Sequence, residues 1–320
     1  MKFLYKLVLV LVVAVLVFAL AGILATWAPD RKVIDLAPRW AQAPSAFVTV
    51  NGMQVHFRDE GPRDDPLPLI LLHGTSASLH TWDGWVDGLK DKRRVIRFDL
   101  PGFGLTGPHV SNDYSMDAYV RVVEALANTL GVKSFALGGN SLGGQIAWAT
   151  AYALPQRVQR LILVDAAGYP MAPQSVPIGF RIARIPGMRS LAELVLPRGV
   201  IESSLRNVYG DPDKVTPALV DRYYELTLRE GNRKALALRF DQMQKADPAL
   251  NVAAIQSLKL PTLIVWGGKD RLIPVENAHR FAADIVGSQL VVLDALGHVP
   301  QEEDAVGTVQ VARKFLDASL

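Results

Sequence analysis

Residues 134–154, SFALGGNSLGGQIAWATAYAL, constrain the fold more than any other part of the chain. Residues 134–137 are short and mostly apolar, as in a buried strand. From Gln145 onward, Ile146, Ala147, Ala149, Ala151 and Leu154 make a good helix-forming run. Between them lies Gly139-Asn140-Ser141-Leu142-Gly143-Gly144, a match to G-x-S-x-G. A strand that turns directly into a helix leaves little room at the corner, and Gly139 and Gly143 supply clearance. Such a turn holds its serine in a strained backbone conformation, with the hydroxyl above the sheet. The Leu142 N–H, at the helix start, points into the same space and can stabilise an oxyanion. The string alone also fits a plain Gly-rich corner, so the downstream partners decide between the two readings.

A serine hydroxyl is a weak nucleophile at neutral pH and needs a general base, itself oriented by a carboxylate. Histidine suits that base, since its ordinary titration lies near working pH. In a parallel sheet, cooperating side chains sit on loops at the carboxyl ends of strands. His298, in Leu296-Gly297-His298-Val299-Pro300, follows the last expected strand, at 289–293. Asp270, in Gly267-Gly268-Lys269-Asp270-Arg271, follows the one at 262–266. Asp165 also ends a strand, at 158–164, and is the alternative acid. His73 reads as a residue that fixes its loop. His80 and Trp82 fit either a pocket wall or packing, and His56, His109 and His279 read as surface or structural.

Composition removes other chemistries. The chain has no cysteine, so disulfides, thiolate catalysis and cysteine-based metal sites are excluded. The six histidines show no metal-ligand spacing, and no metal or cofactor is expected. A net charge of +3 without a long basic run gives no nucleic-acid footprint. Residues 102–107, GFGLTG, match G-x-G-x-x-G, but Pro108 and the polar 111–113 follow where a dinucleotide site needs a helix.

Five stretches in order, LLHGTSAS, FDLPGFGLTG, GNSLGG, VWGGKDRLIP and LGHVPQEED, resemble the α/β-hydrolase fold family, over roughly residues 47–320. The resemblance implies Ser141 as nucleophile, His298 as base and Asp270 as orienting acid, in the chain order of that family. It also implies the Thr75 N–H as second oxyanion donor, beside that of Leu142. Serine at 141 argues against the haloalkane dehalogenase and epoxide hydrolase branches, which carry aspartate there. The expected activity is hydrolysis of a carboxylic ester, the partner a small-molecule ester or acyl substrate. GNSLGG also resembles C–C bond hydrolases of the meta-cleavage type. That branch carries an HGSGPG-like loop and an aromatic after the histidine, where this chain has HGTSAS and Val299. A non-catalytic binding protein on the same scaffold is the third reading, although no triad member is missing.

The expected fold class is α/β: a mostly parallel α/β-hydrolase sheet with helices on both faces and an inserted helical cap. The cap is placed at about 168–254, where the strand–helix rhythm breaks. Its arginines 181, 184, 189, 198 and 206 read as a solvated face with ion pairs, and secondarily as a face toward anionic lipid. Ahead of the domain, residues 7–27 carry no charge, long enough for a transmembrane helix with Trp27 at an interface. The expectation is a membrane anchor over 1–28 and a tether over 29–46, with the catalytic domain on the non-cytoplasmic side. The small-x-small string Ala19-Leu20-Ala21 keeps a cleaved signal peptide, and secretion, as the alternative.

Overall fold

The central strands set the architecture: they are buried on both faces, and successive side chains divide between two cores. In β3 (Leu69–Leu72), Leu69 and Leu71 enter one core while Ile70 and Leu72 enter the other. Similar alternation runs through β6 (Val158–Val164) and β7 (Thr262–Gly267). Strands covered on both sides need helices on both sides. The computed structural model describes residues 2–170, 172–185, 193–243 and 248–318, the side chains at 2, 16, 18–20 and 248–250 excepted.

The sheet has eight strands in the order β1-β2-β4-β3-β5-β6-β7-β8. The hairpin β1 (Ala46–Val50) and β2 (Met53–Glu60) turns at Asn51-Gly52, both with positive φ, and packs antiparallel beside β4 (Val95–Phe98). From β4 onward all neighbours are parallel, through β5 (Phe135–Asn140) to β8 (Gln289–Leu293). One face carries α4 (Met116–Thr129), α5 (Leu142–Ala153) and α11 (Glu276–Asp284), with Tyr119, Ile146 and Phe281 buried in its core. The other carries α3 (Asp83–Leu89) and α13 (Ala305–Asp317), with Trp85, Val309 and Phe315. Between β6 and β7 stand α6 (Ile178–Ala183), α7 (Arg198–Val208), α8 (Pro217–Thr227), α9 (Asn232–Met243) and α10 (Pro248–Gln256), the helical insertion expected there. Arg198 and Arg206 in it pair with Asp221 and Glu202, as a solvated face does. Arg189 lies outside the described residues.

Local chemistry moved some boundaries. α12 (Pro300–Glu303) stops at Asp304, whose carboxylate caps α13 by accepting the Gly307 N–H. His56 is fully buried: its Nδ1 meets Asp99 Oδ2 at 2.7 Å and its Nε2 meets Ser45 Oγ at 2.9 Å. The residues expected as a tether contain α2 (Val33–Trp40), which buries Leu36 against Leu105 and Leu226. Its amphipathic spacing overrides the prolines around it, and the segment is docked, not free.

The apolar run at the N-terminus forms α1 (Lys2–Ala25), whose described apolar side chains stand largely exposed. Among the described residues no helix is long and apolar enough to cross a membrane, which corrects the expected transmembrane helix. Trp27 leaves its side chain exposed, but its backbone bridges Val195, while Ala28 N–H bonds the Leu194 carbonyl and Leu196 N–H bonds that of Thr26.

Candidate active site

The turn between β5 and α5 is as tight as its glycines require. A Cβ on Gly139 would collide with the Gly143 carbonyl, and one on Gly143 with the Leu72 carbonyl. Ser141, between them, adopts φ 55° and ψ −114°, a region that costs a non-glycine residue about 1–3 kcal/mol. Three backbone bonds hold it there: its N–H to the Val164 carbonyl at 3.0 Å, and its carbonyl accepting from Gln145 at 3.0 Å and Ala167 at 3.1 Å. Adjacent β6 and α5 therefore fix the serine before any side chain acts.

The three residues singled out in sequence come together at one end of the sheet. Asp270, on the turn after β7, accepts the Leu272 and Ile273 N–H groups on Oδ1, at 2.8 and 2.9 Å. Its Oδ2 lies 2.6 Å from His298 Nδ1. With Nδ1 donating, Nε2 is the ring's free acceptor. The His298 backbone is clamped on both sides: its N–H donates to the Val208 carbonyl of the cap at 2.7 Å, and its carbonyl accepts Asn140 Nδ2 at 2.9 Å. Ser141 and His298 line a single cavity of about 430 Å³, together with Gly74, Thr75 and Ser76. The Leu142 N–H, first in its helix, has no intrahelical acceptor, and Thr75 lines the cavity together with Ser141. Asp165 is in the same buried cluster, but the imidazole hydrogen bond goes to Asp270.

His73 does what its loop position suggested. Its Nδ1 meets the Gly74 carbonyl at 2.7 Å and its Nε2 accepts the Leu100 N–H at 2.9 Å, which makes the ring neutral. Burial pushes its pKa down, against the pull of Asp99. His80 and Trp82 are buried and absent from the cavity wall. His80 meets Ser78 Oγ and the Trp40 carbonyl, both at 3.0 Å, and so fastens α2 to the body.

Sequence reasoning passed over the acids after the histidine. Glu302 gathers Tyr209, Arg222 and Tyr223 of the cap at 2.7–3.0 Å. Glu303 accepts the N–H groups of Gly210, Asp211 and Gly297 at 2.8–2.9 Å. Together they latch the cap to the loop that carries His298. The signal was in plain view, Gln301-Glu302-Glu303 directly after His298-Val299-Pro300, but only the fold shows what they grip. Asn140, the variable position of the serine turn, was missed for the same reason.

The cavity wall is mostly apolar, with Phe180, Ile182, Val200, Leu205, Leu236 and Leu238 among its residues. Its described cations are Arg233 and Lys234. Arg233 is spent on Asp30 at 2.6 Å, and Arg222 nearby is spent on Glu302 at 2.7 Å.

A strained serine above a parallel sheet, a histidine paired to a buried aspartate, and a cap over both define a class. Residues 68–305 match the profile of the alpha/beta hydrolase fold, and the chain belongs to that family. Among its relatives is 2-hydroxymuconate semialdehyde hydrolase of Pseudomonas sp. strain CF600. The two are 29% identical over 288 residues, 88% of this chain and 96% of the relative. An uncharacterised protein of Mycobacterium tuberculosis is 30% identical over 90% of this chain and 84% of its own. Among solved structures, a membrane phospholipase A described as a bacterial virulence factor is 26% identical, with a TM-score of 0.73, covering 99% of this chain and 98% of that one. A meta-cleavage product hydrolase from Pseudomonas fluorescens is 25% identical with the same TM-score, over 85% of this chain and 97% of its own.

Proposed function

We propose that this α/β hydrolase cleaves carboxylic esters of apolar acyl chains through an acyl-enzyme on Ser141. His298 Nε2 takes the serine proton as the hydroxyl attacks, and Asp270 stabilises the resulting imidazolium across the 2.6 Å bond. The Leu142 and Thr75 N–H groups receive the oxyanion. The protonated His298 then returns its proton to the leaving alkoxide, and water repeats the sequence to free the acid. No cofactor takes part in this scheme.

The observation that carries the ester reading is the mostly apolar wall of the cavity above Ser141, where Arg233 is paired with Asp30 and Lys234 is exposed. A C–C bond hydrolase of the kind named among the relatives acts on dienoates and dienedioates, whose carboxylates need a cation, and Lys234 is the described wall residue that could supply one. The second reading keeps a specific support, the 26–29% identity to those enzymes.

We infer further that the protein works at a lipid surface. α1 exposes Phe3 by 82% and Val15 by 66%, among a continuous set of apolar side chains, more apolar surface than water tolerates on a lone helix. Its root is bonded to 194–196, and Val195 and Leu196 line the cavity. Lipid held at α1 is thus close to residues that line the pocket. The similarity to the membrane phospholipase A extends over 99% of this chain, while that to the meta-cleavage enzyme extends over 85%.

The test is a panel of p-nitrophenyl esters from acetate to palmitate, run beside a vinylogous diketone, with fluorophosphonate labelling. Turnover rising with acyl length, and labelling lost in Ser141→Ala, supports the reading. Diketone cleavage with no ester turnover moves the assignment to C–C hydrolysis. Full-length protein that fails to co-sediment with phospholipid vesicles refutes the lipid surface.

A further inference from the structure

Asp165 is a buried acid that the mechanism above leaves unused. It sits at φ 44°, immediately after β6, with none of its surface exposed. Its Oδ1 accepts the Gly267 N–H at 3.0 Å, while Oδ2 is sealed from solvent with no N–H to satisfy it. One carboxyl oxygen each of Asp165 and Asp270 and one ring nitrogen of His298 lie within 4.8 Å of one another. The Asp270 side chain is equally inaccessible.

Two carboxylates in contact in a buried site cannot both be ionised at neutral pH. The remaining oxygens of the cluster decide which one keeps the proton. Asp270 accepts two backbone N–H groups and faces the imidazole, all of which favour its anion. Asp165 has one N–H, and the charged groups acting on it are Asp270 and, farther off, Glu303 of α12. The residues of β5 and α5 beside it carry no charge. His298, the cation of the cluster when protonated, is bonded to Asp270.

We propose that Asp165 is a positioning residue, a neutral carboxylic acid whose Oδ2–H donates to the Asp270 carboxylate and holds it toward His298. This rests on the triad reading given above. Burial, then the neighbouring Asp270 charge, push the Asp165 pKa well above the usual carboxylate range. The site then carries one negative charge shared over two carboxyls. The orphan oxygen and the second buried acid are explained together.

The experiment uses the full chain with Asp165→Asn and Asp165→Ala, read by infrared spectroscopy and by the pH profile of kcat/KM on a p-nitrophenyl ester. The wild type is expected to show, at neutral pH, the deuterium-sensitive carbonyl stretch of a protonated carboxylic acid, and Asp165→Asn to lose it. Asparagine keeps both the acceptor for Gly267 and a donor for Asp270. Its kcat is expected within about fivefold of wild type, with the acid limb in place. Alanine leaves Asp270 without the donor, and kcat is expected to fall about tenfold with the acid limb displaced upward by about one pH unit. If the alanine variant does not fold, the infrared band and the asparagine variant decide the matter. A band absent from wild type, or persisting in Asp165→Asn, overturns the proposal. So do equal losses in both variants with an unmoved acid limb. The infrared reading does not depend on ester turnover, so its failure and a failure of the esterase reading are distinguishable.

Discussion

Asp270→Asn is the substitution whose outcome the geometry specifies most closely. Asparagine fits the site in one orientation. Its oxygen must stay on the Leu272 and Ile273 N–H groups, which Oδ1 now accepts at 2.8 and 2.9 Å. Its NH₂ must then face His298 Nδ1, where Oδ2 now stands at 2.6 Å. Two donors cannot share that contact, so the ring moves its proton to Nε2 and presents an N–H where the reaction needs an acceptor. The negative charge opposite the imidazolium is lost as well. A wrong tautomer of this kind costs about 10⁴ in kcat, and at 1.36 kcal/mol per tenfold that is about 5 kcal/mol of transition-state stabilisation. KM should change little, since Asp270 is not among the cavity-lining residues. Single-turnover kinetics with a p-nitrophenyl ester, alongside the rate of fluorophosphonate labelling, measure the effect, and a melting curve checks the fold. A folded Asp270→Asn protein with kcat within tenfold of wild type would refute this account of Asp270.

Gly139→Ala places a Cβ against the Gly143 carbonyl. We expect a loss of about 2–3 kcal/mol in urea unfolding, and labelling slowed at least about 100-fold as Ser141 shifts. In His80, burial, reinforced by Arg222 and Arg58 against the pull of Asp99, holds the pKa down to about 3. The unfolded chain takes up that proton below about 6.5 and the folded one does not, so this contribution to stability is lost as pH falls from 6.5 toward 3. His80→Gln should reduce the drop in unfolding free energy between pH 7.5 and pH 5 by about 2 kcal/mol, and equal drops in both proteins would contradict the burial argument. Leu36→Ala should cost about 2–3 kcal/mol, because that side chain is fully buried between Leu105 and Leu226. A chain beginning at Pro44 should therefore melt well below one beginning at Pro29, and equal melting temperatures would mean that α2 is not part of the folded body.

The sequence alone determined the sheet and the position of its reactive corner. Parallel strands are short, mostly apolar runs, and those at 158–164, 262–266 and 289–293 announced themselves without reference to distant residues. Glycines at 139 and 143 are equally local evidence, because the clash they avoid is between neighbours in the chain. Once the strands were placed, topology brought Ser141, Asp270 and His298 to one end of the sheet. Tertiary structure decided what depends on groups far apart in sequence. Whether His298 pairs with Asp270 or Asp165 follows from how two adjacent strand ends aim their loops. The grip of Glu302 and Glu303 on the cap spans about eighty to ninety residues, and no local pattern encodes it. The segment ahead of β1 read as a tether because its prolines and charges are local. It is held down by Leu36, Trp40 and Asp30, whose partners lie beyond residue 79. Local sterics write themselves into adjacent residues. Long-range packing and shared protons belong only to the assembled fold.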